Sequence, residues 1–448
     1  MNQLQFVQKF ALCIFAAAAL ATAMPSEARN KRKTTHSAQQ QTEQKAEDKP
    51  AEAGAPSNVQ PAPAPLPPPG ALNVPVPPAP TLNAKSWLLM DYASGQILAG
   101  DHVDERVEPA SITKVMTSYV VSAQLAAGKI KLDDDVFISE NAWRGGGGGT
   151  DGSTTFLAVN SKVKVKDLLY GMIIQSGNDA AIALAEHVAG SEQTFAALMN
   201  QYAAQLGMTG THYVNPHGLP APDEYTTARD IAILSRALIR DYPEEYKIYA
   251  IKEFEWNGIT QHNRNTLLWR DASVDGIKTG HTKEAGFCLA ASAKHGDQRL
   301  ISVVMGTGSD KERSDANQAV LNYGFRFFET HKLYDANKAL ATPVLWKGAA
   351  DTVALGVADD VLITLPRGRY TDLKATMDVP ARLIAPFAKG QKVGTLKVAL
   401  DGKVLLERPL VSIAAAPEGG LWRRFYDGTA LWFKGNAATE TQTVPSKP

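Results

Sequence analysis

Ala110-Ser111-Ile112-Thr113-Lys114-Val115-Met116-Thr117-Ser118-Tyr119-Val120 is the stretch on which the reading of the fold turns. Before it the pattern is strand-like. Trp87-Leu88-Leu89-Met90 is a short apolar run, Ala93-Ser94-Gly95 is turn-like, and Gln96-Ile97-Leu98-Ala99 returns, which predicts a hairpin. From Ser111 the period changes: Ile112, Val115, Met116, Tyr119, Val120 and Ala123 recur at helical spacing. Further helix is predicted over 166–174, 179–188 and 192–206. Strands return over 276–279, 286–293 and 299–306, the last two joined through His295-Gly296-Asp297, and 313–328 reads as helix. Strands at both ends with helices between predict an α+β domain, one antiparallel sheet flanked by helices and closed by the two ends of the segment. Short strand patterns then follow over 353–357, 361–365, 373–377, 396–400 and 404–410, with Asp401-Gly402 as a type I′ hairpin signal. They predict a small all-β domain over 335–417, after a larger domain over 84–334.

The chain has 448 residues, with 46 Lys+Arg against 46 Asp+Glu. That balance gives no support to nucleic-acid binding, which usually shows as a basic surplus. Two cysteines exclude a disulfide-stapled scaffold and a Cys-rich metal protein. No histidine pair has the spacing of a metal site, so neither metal nor cofactor is expected. Lys9, an apolar run from Phe10 to Leu20 and small residues at Ala21-Thr22-Ala23 predict a secretory signal peptide over 1–28, with an uncleaved anchor as the alternative. Its removal would leave Cys288 without a partner. Residues 29–83 hold 12 of the chain's 26 prolines between Pro50 and Pro80, and predict a disordered tether.

Three short motifs carry chemistry. Ser111 and Lys114 are three apart at a helix start, so they share a face. A serine hydroxyl is a weak nucleophile until a base takes its proton, and a lysine is that base only when burial or nearby cations lower its pKa. Ser176-Gly177-Asn178 follows between two helices, and Lys278-Thr279-Gly280 ends a strand. Each tripeptide is common; the ordered set S-x-x-K, S-G-N, K-T-G is specific.

With these motifs the chain resembles the penicillin-binding proteins and serine β-lactamases. Glu108-Pro109-Ala110-Ser111, Gln175-Ser176-Gly177-Asn178-Asp179, Asp275-Gly276-Ile277-Lys278-Thr279-Gly280-His281-Thr282 and Tyr323-Gly324-Phe325-Arg326 narrow the resemblance to low-molecular-mass D-alanyl-D-alanine carboxypeptidases of the penicillin-binding protein 5/6 type. The likeness runs from about residue 84 to 434. It implies a β-lactamase/transpeptidase-like catalytic domain and a serine D,D-carboxypeptidase that acts on peptidoglycan stem peptides and is inhibited by β-lactam antibiotics. In that reading Ser111 is the nucleophile, Lys114 its base and Ser176 a proton relay. Asn178 holds the substrate amide, and Lys278 and Thr279, assisted by Arg313, bind the terminal carboxylate. The backbone N–H groups of Ser111 and His281, beside Gly280, form the oxyanion hole, and Lys278 helps lower the Lys114 pKa. Arg264 is either a cleft residue or a structural one, and His217 a cleft-wall residue.

Two rivals stay within the enzyme class, a β-lactamase and a D,D-endopeptidase; a third is an envelope binding module with a vestigial site. No Glu-x-x-Leu-Asn segment of the class A β-lactamases lies between Asn178 and Lys278. The five glycines 145–149 depart from the family, as a mobile site border or a tolerated insertion. Leu421, Trp422, Phe425, Tyr426 and Trp432 with Arg423, Arg424 and Lys434 predict an amphipathic helix over 418–435, lying on a membrane surface or packed on the β domain, before a disordered tail over 436–448. The expected location is periplasmic, peripherally attached to the outer face of the inner membrane.

Overall fold

The computed structural model describes residues 76–145, 152–433 and 440–444. The predicted signal peptide, most of the tether and Gly146–Gly149 lie outside the described residues.

Strands β1 (Ser86–Asp91) and β2 (Ile97–Asp101) form the predicted hairpin, with a bulge between Leu89 and Met90. A short 3₁₀ turn, Ala110–Ile112, feeds helix α1 (Thr113–Ala126). Helices α2 (Asn178–Ala189), α3 (Glu192–Leu206) and α4 (Ala228–Asp241) follow. Ser191 and Thr227 cap α3 and α4 by accepting the N–H of Thr194 and Asp230, which satisfies a donor the helix leaves unpaired. Strands β3 (Val274–Thr282), β4 (Gly286–His295) and β5 (Gln298–Thr307) return, and helix α5 (Asp310–Phe327) closes the domain. The sheet is antiparallel in the order β2-β1-β5-β4-β3, which makes β3 an edge strand.

Both faces of this sheet are covered, which explains why its strands read as apolar runs rather than strict alternations. Leu88, Met90, Ile301, Val303 and Met305 face a core shared with α1, α2, α3 and α4. Trp87, Leu89, Leu300 and Val304 face the other way, against Val320, Leu321 and Phe325 of α5.

Strand β6 (Phe328–Tyr334) begins the second domain, followed by β7 (Ala339–Ala341), β8 (Leu355–Gly356), β9 (Val361–Pro366), β10 (Lys374–Val379), β11 (Lys392–Leu400) and β12 (Lys403–Ser412). Helix α6 (Leu421–Phe433) and strand β13 (Glu440–Val444) complete the described chain. Strands β6 and β9 pair, and a six-stranded sheet runs β7-β8-β12-β11-β10-β13. Asp401 and Gly402, both at positive φ, make the predicted tight turn between β11 and β12.

Three predicted boundaries move. The catalytic domain ends near Phe327 rather than 334, because Leu333 and Tyr334 bury in the second core. Residues 76–83, expected in the tether, lie on the first domain: Ala79 and Leu82 pack on the α5 side of the sheet, and the Tyr323 hydroxyl donates to the Pro77 carbonyl at 3.0 Å. The tail is not wholly without structure, since β13 pairs antiparallel with the edge of β10.

The two domains meet at Asp91, which is fully buried. Its carboxylate accepts from Ser94 N–H and Oγ and from Thr330 Oγ1, each at 2.7 Å, and Ser94 Oγ lies 2.6 Å from Thr364 Oγ1. Asp91→Ala leaves those donors without an acceptor. Stability should fall by about 2–3 kcal/mol, seen as a lower midpoint in urea denaturation. A midpoint within error of wild type contradicts this account of the junction.

Candidate active site

Ser111 sits in the 3₁₀ turn that starts α1, after Ala110, a non-glycine residue at φ +47°. Two close approaches hold this strained turn. Gly218, at φ +82°, lies so near that an added Cβ would meet the Ala110 carbonyl oxygen at 1.8 Å. Gly280 of β3 passes where a Cβ would stand 3.1 Å from the Pro109 carbonyl oxygen. Strain of this kind persists where the surroundings over-determine it.

Lys114 lies one turn on and is fully buried. Its Nζ is 3.0 Å from Ser111 Oγ, 2.7 Å from Asn178 Oδ1 and 2.7 Å from the His217 carbonyl oxygen. Asn178 Oδ1 and the His217 carbonyl are acceptors only. A neutral amine can give both N–H bonds to them and direct its lone pair at the serine hydroxyl. Burial, with the Arg264 charge adding to it, pushes Lys114 down to about 7. Arg264, rather than the expected Lys278, is the cation that lowers Lys114, against the opposing carboxylates of Asp179 and Glu224, while Lys114 in turn helps lower Lys278.

Ser176 occupies the junction between a π-helical turn, Gly171–Gln175, and α2, at φ +72°. π-Turns of this kind concentrate at functional sites. Its Oγ is buried with no hydrogen-bond partner. The turn is fixed by Asn178 N–H donating to the Ser153 carbonyl at 2.8 Å. Asp179 beside it accepts from Thr155 N–H at 2.8 Å, Leu157 N–H at 3.1 Å and Thr154 Oγ1 at 2.9 Å, so it holds the 152–157 segment against the cleft.

Ser111, Ser176, Asn178, Thr279, Gly280, His281 and Arg313 line one cleft of about 490 Å³. The exposed edge of β3 forms one wall. Arg313 donates to the Gly280 carbonyl at 3.1 Å, pairs with Asp310 and lies over the Phe287 ring. Asn265 holds the Gly276 carbonyl and Asn263 the Ile251 carbonyl, and Arg264 between them lines the cleft, which settles its two readings in favour of the cleft. Lys278 departs from expectation. It is only 3% exposed, its ammonium donates to the Thr279 carbonyl at 3.2 Å, and it lies behind the lining. Burial, then the charges of Lys114, Arg264 and Arg313, hold it well below the usual lysine range.

Not legible in the motifs are Asp179 as a support, the His217 carbonyl as an acceptor for Lys114, and the lining residues Ser153, Leu219, Phe287 and Asp310. Asp179 was legible as an acid at a helix N-terminus; the others depend on tertiary contact.

Both domains are similar to those of known proteins. The family described as D-alanyl-D-alanine carboxypeptidase matches residues 73–309, and the one described as penicillin-binding protein 5, C-terminal domain, matches 328–418. D-alanyl-D-alanine carboxypeptidase DacC of Escherichia coli (strain K12) is 48% identical over 359 residues, 79% of this chain and 90% of the relative. DacA of the same organism is 46% identical over 361 residues, 80% and 90% of the two chains. The crystal structure of penicillin-binding protein 5 from Haemophilus influenzae superposes with a TM-score of 0.74 at 45% identity, covering 77% of this chain and 100% of that one.

Asp179→Asn sets an amide NH₂ against backbone N–H donors. It should cost about 2–3 kcal/mol and lower the reaction rate at Ser111 as the 152–157 segment loosens. Urea denaturation and a rate assay check this; wild-type values in both contradict it.

Proposed function

The chain belongs to the D-alanyl-D-alanine carboxypeptidases of the penicillin-binding protein 5/6 type, and we propose from this that Ser111 is its nucleophile and Lys114 the base. The activity is that of a serine D,D-carboxypeptidase of the cell wall, and covalent β-lactam binding is typical of the family. The observation that carries the residue assignment is the buried Lys114 amine, held by Asn178 and His217 with Ser111 Oγ 3.0 Å away.

Ser111 Oγ attacks the carbonyl carbon between the two terminal D-alanines as its proton passes to Lys114 Nζ. The carbonyl electrons move onto oxygen, where the N–H groups of Ser111 and His281 stabilise the charge; such a donor is worth about 3–4 kcal/mol. Collapse breaks the C–N bond; Ser176 gives its hydroxyl proton to the leaving amine and is reprotonated from the Lys114 ammonium, which returns to the free amine. Water then attacks the ester carbon as Lys114 Nζ takes its proton; the bond from that carbon to Ser111 Oγ breaks, and Lys114 returns the proton to Oγ as the shortened peptide leaves with a free carboxylate. Asn178, whose Oδ1 is occupied by Lys114, offers its Nδ2 to the substrate amide. Thr279 and the guanidinium groups of Arg313 and Arg264 suit a free terminal carboxylate. A β-lactam follows the first half of this path, but its leaving nitrogen stays attached to the acyl group.

Export and membrane attachment form part of the same proposal. Along α6, Leu421, Trp422, Phe425, Tyr426 and Trp432 are 70–87% exposed, while Asp427 on another side accepts from the Lys347 N–H at 2.6 Å. An apolar face turned outward beside Arg423 and Arg424 suits the headgroup region of a bilayer. Among the described residues no helix is long and apolar enough to cross a membrane. The reading places the enzyme in the periplasm, on the outer face of the inner membrane, acting on peptidoglycan stem peptides.

Wild type incubated with a fluorescent penicillin should carry a covalent label on Ser111, located by mass spectrometry, and should release D-alanine from a pentapeptide. Ser111→Ala should lose the label and reduce release by roughly 10⁴-fold or more. Labelling that persists in Ser111→Ala, or a label located elsewhere, contradicts the assignment. The double variant W422E/F425E should lose co-sedimentation with anionic vesicles while keeping D-alanine release. Unchanged sedimentation refutes the membrane face.

A further inference from the structure

Glu224 is 6% exposed, belongs to no catalytic motif, and stands beside the base. Its Oε1 accepts from Thr113 Oγ1 at 3.2 Å, on the residue preceding Lys114. Its Oε2 accepts from Asn215 Nδ2. Asn215 is committed on its other side: Oδ1 accepts from the N–H groups of His217, at 3.1 Å, and Gly218, at 2.6 Å. Those bonds shape the turn whose His217 carbonyl holds the Lys114 amine, and whose Gly218 presses on Ala110. One carboxylate thus ties together the helix that bears the base and the turn that orients it.

We propose that Glu224 is a positioning residue for Lys114: through Thr113 and Asn215 it fixes the backbone that aims the amine at Ser111. The proposal rests on the assignment of Lys114 as base. The groups facing Glu224 are Thr113 and Lys114 of α1, Glu108 just before the nucleophile turn, and Asn215 and Tyr213 of the segment before it. Burial, with repulsion from Glu108 adding to it, pushes Glu224 up to about 8, against the opposing pull of its hydrogen bonds and of Lys114. An ionised Glu224 favours the ammonium form of Lys114; a neutral side chain there favours the free amine.

The test is the acylation rate of the full-length enzyme with a fluorescent penicillin, measured from about pH 5 to 9. Glu224→Gln can keep both contacts, its oxygen toward Asn215 and its nitrogen toward Thr113, but carries no charge. Because both contacts survive, its plateau rate should stay within about 2-fold of wild type. Glu224→Asp sets the carboxyl group on a shorter arm that cannot reach both partners; its plateau rate should fall about 10-fold. A Glu224→Gln plateau as low as that of Glu224→Asp, or a Glu224→Asp plateau equal to wild type, overturns the proposal. If Glu224→Gln does not fold, the Glu224→Asp plateau decides. A wild type that is not acylated at all overturns the Lys114 assignment itself, a result distinct from either variant's failure.

Discussion

A lysine amine sealed from water and held by two carbonyl-type oxygens is the constraint around which this protein is arranged. Burying an ammonium ion is costly, so the site favours the neutral amine. Because Asn178 Oδ1 and the His217 carbonyl can only accept, the remaining electron pair of that amine is left facing Ser111 Oγ. Helix α2, the 215–219 turn and α1 must each be placed to within hydrogen-bond tolerance for this to hold, and most of the polar contacts near the site serve that placement.

The sheet provides the other half of the site. Its strands are packed on both faces, by α1, α2, α3 and α4 on one side and α5 on the other, so β3 is held rigidly while its outer edge stays open to the cleft. Gly280 allows that edge to approach the nucleophile turn, and Arg313 comes to the same wall from the first turn of α5. A peptide ending in a free carboxylate would meet an extended edge and the cations of Arg264 and Arg313.

Much of this is legible in the amino-acid sequence. The change of period at Ser111, the i, i+3 relation of Ser111 and Lys114, and the Asp401-Gly402 turn are local facts, and local facts survive folding. The β strands around Leu88, Leu289 and Val303 are legible as apolar runs because both their faces are buried. Asn257-Gly258, both at positive φ, is an equally plain hairpin signal for the strands Glu253–Trp256 and Ile259–His262, and Thr227 is an equally plain cap for α4; neither element is among those predicted. What local pattern does not carry is contact across the chain. The His217 carbonyl, 103 residues from Lys114, and Glu224, 111 residues from Thr113, reach the base through tertiary packing alone. The same limit explains Lys278: strand position gives its place in β3, but only the folded sheet shows that its ammonium lies behind the cleft wall. The β13 pairing with β10 depends on an open sheet edge that the tail's composition does not reveal.

The central claim is that Lys114 gives up its proton near neutral pH. A ¹³C-detected NMR titration of the full-length enzyme labelled at lysine Cε, with the Lys114 resonance assigned by its loss in Lys114→Arg, measures this directly. The account predicts a midpoint close to 7, well apart from the solvent-exposed lysines. A midpoint near the ordinary lysine value of about 10.4 would contradict it, since Ser111 would then have no base.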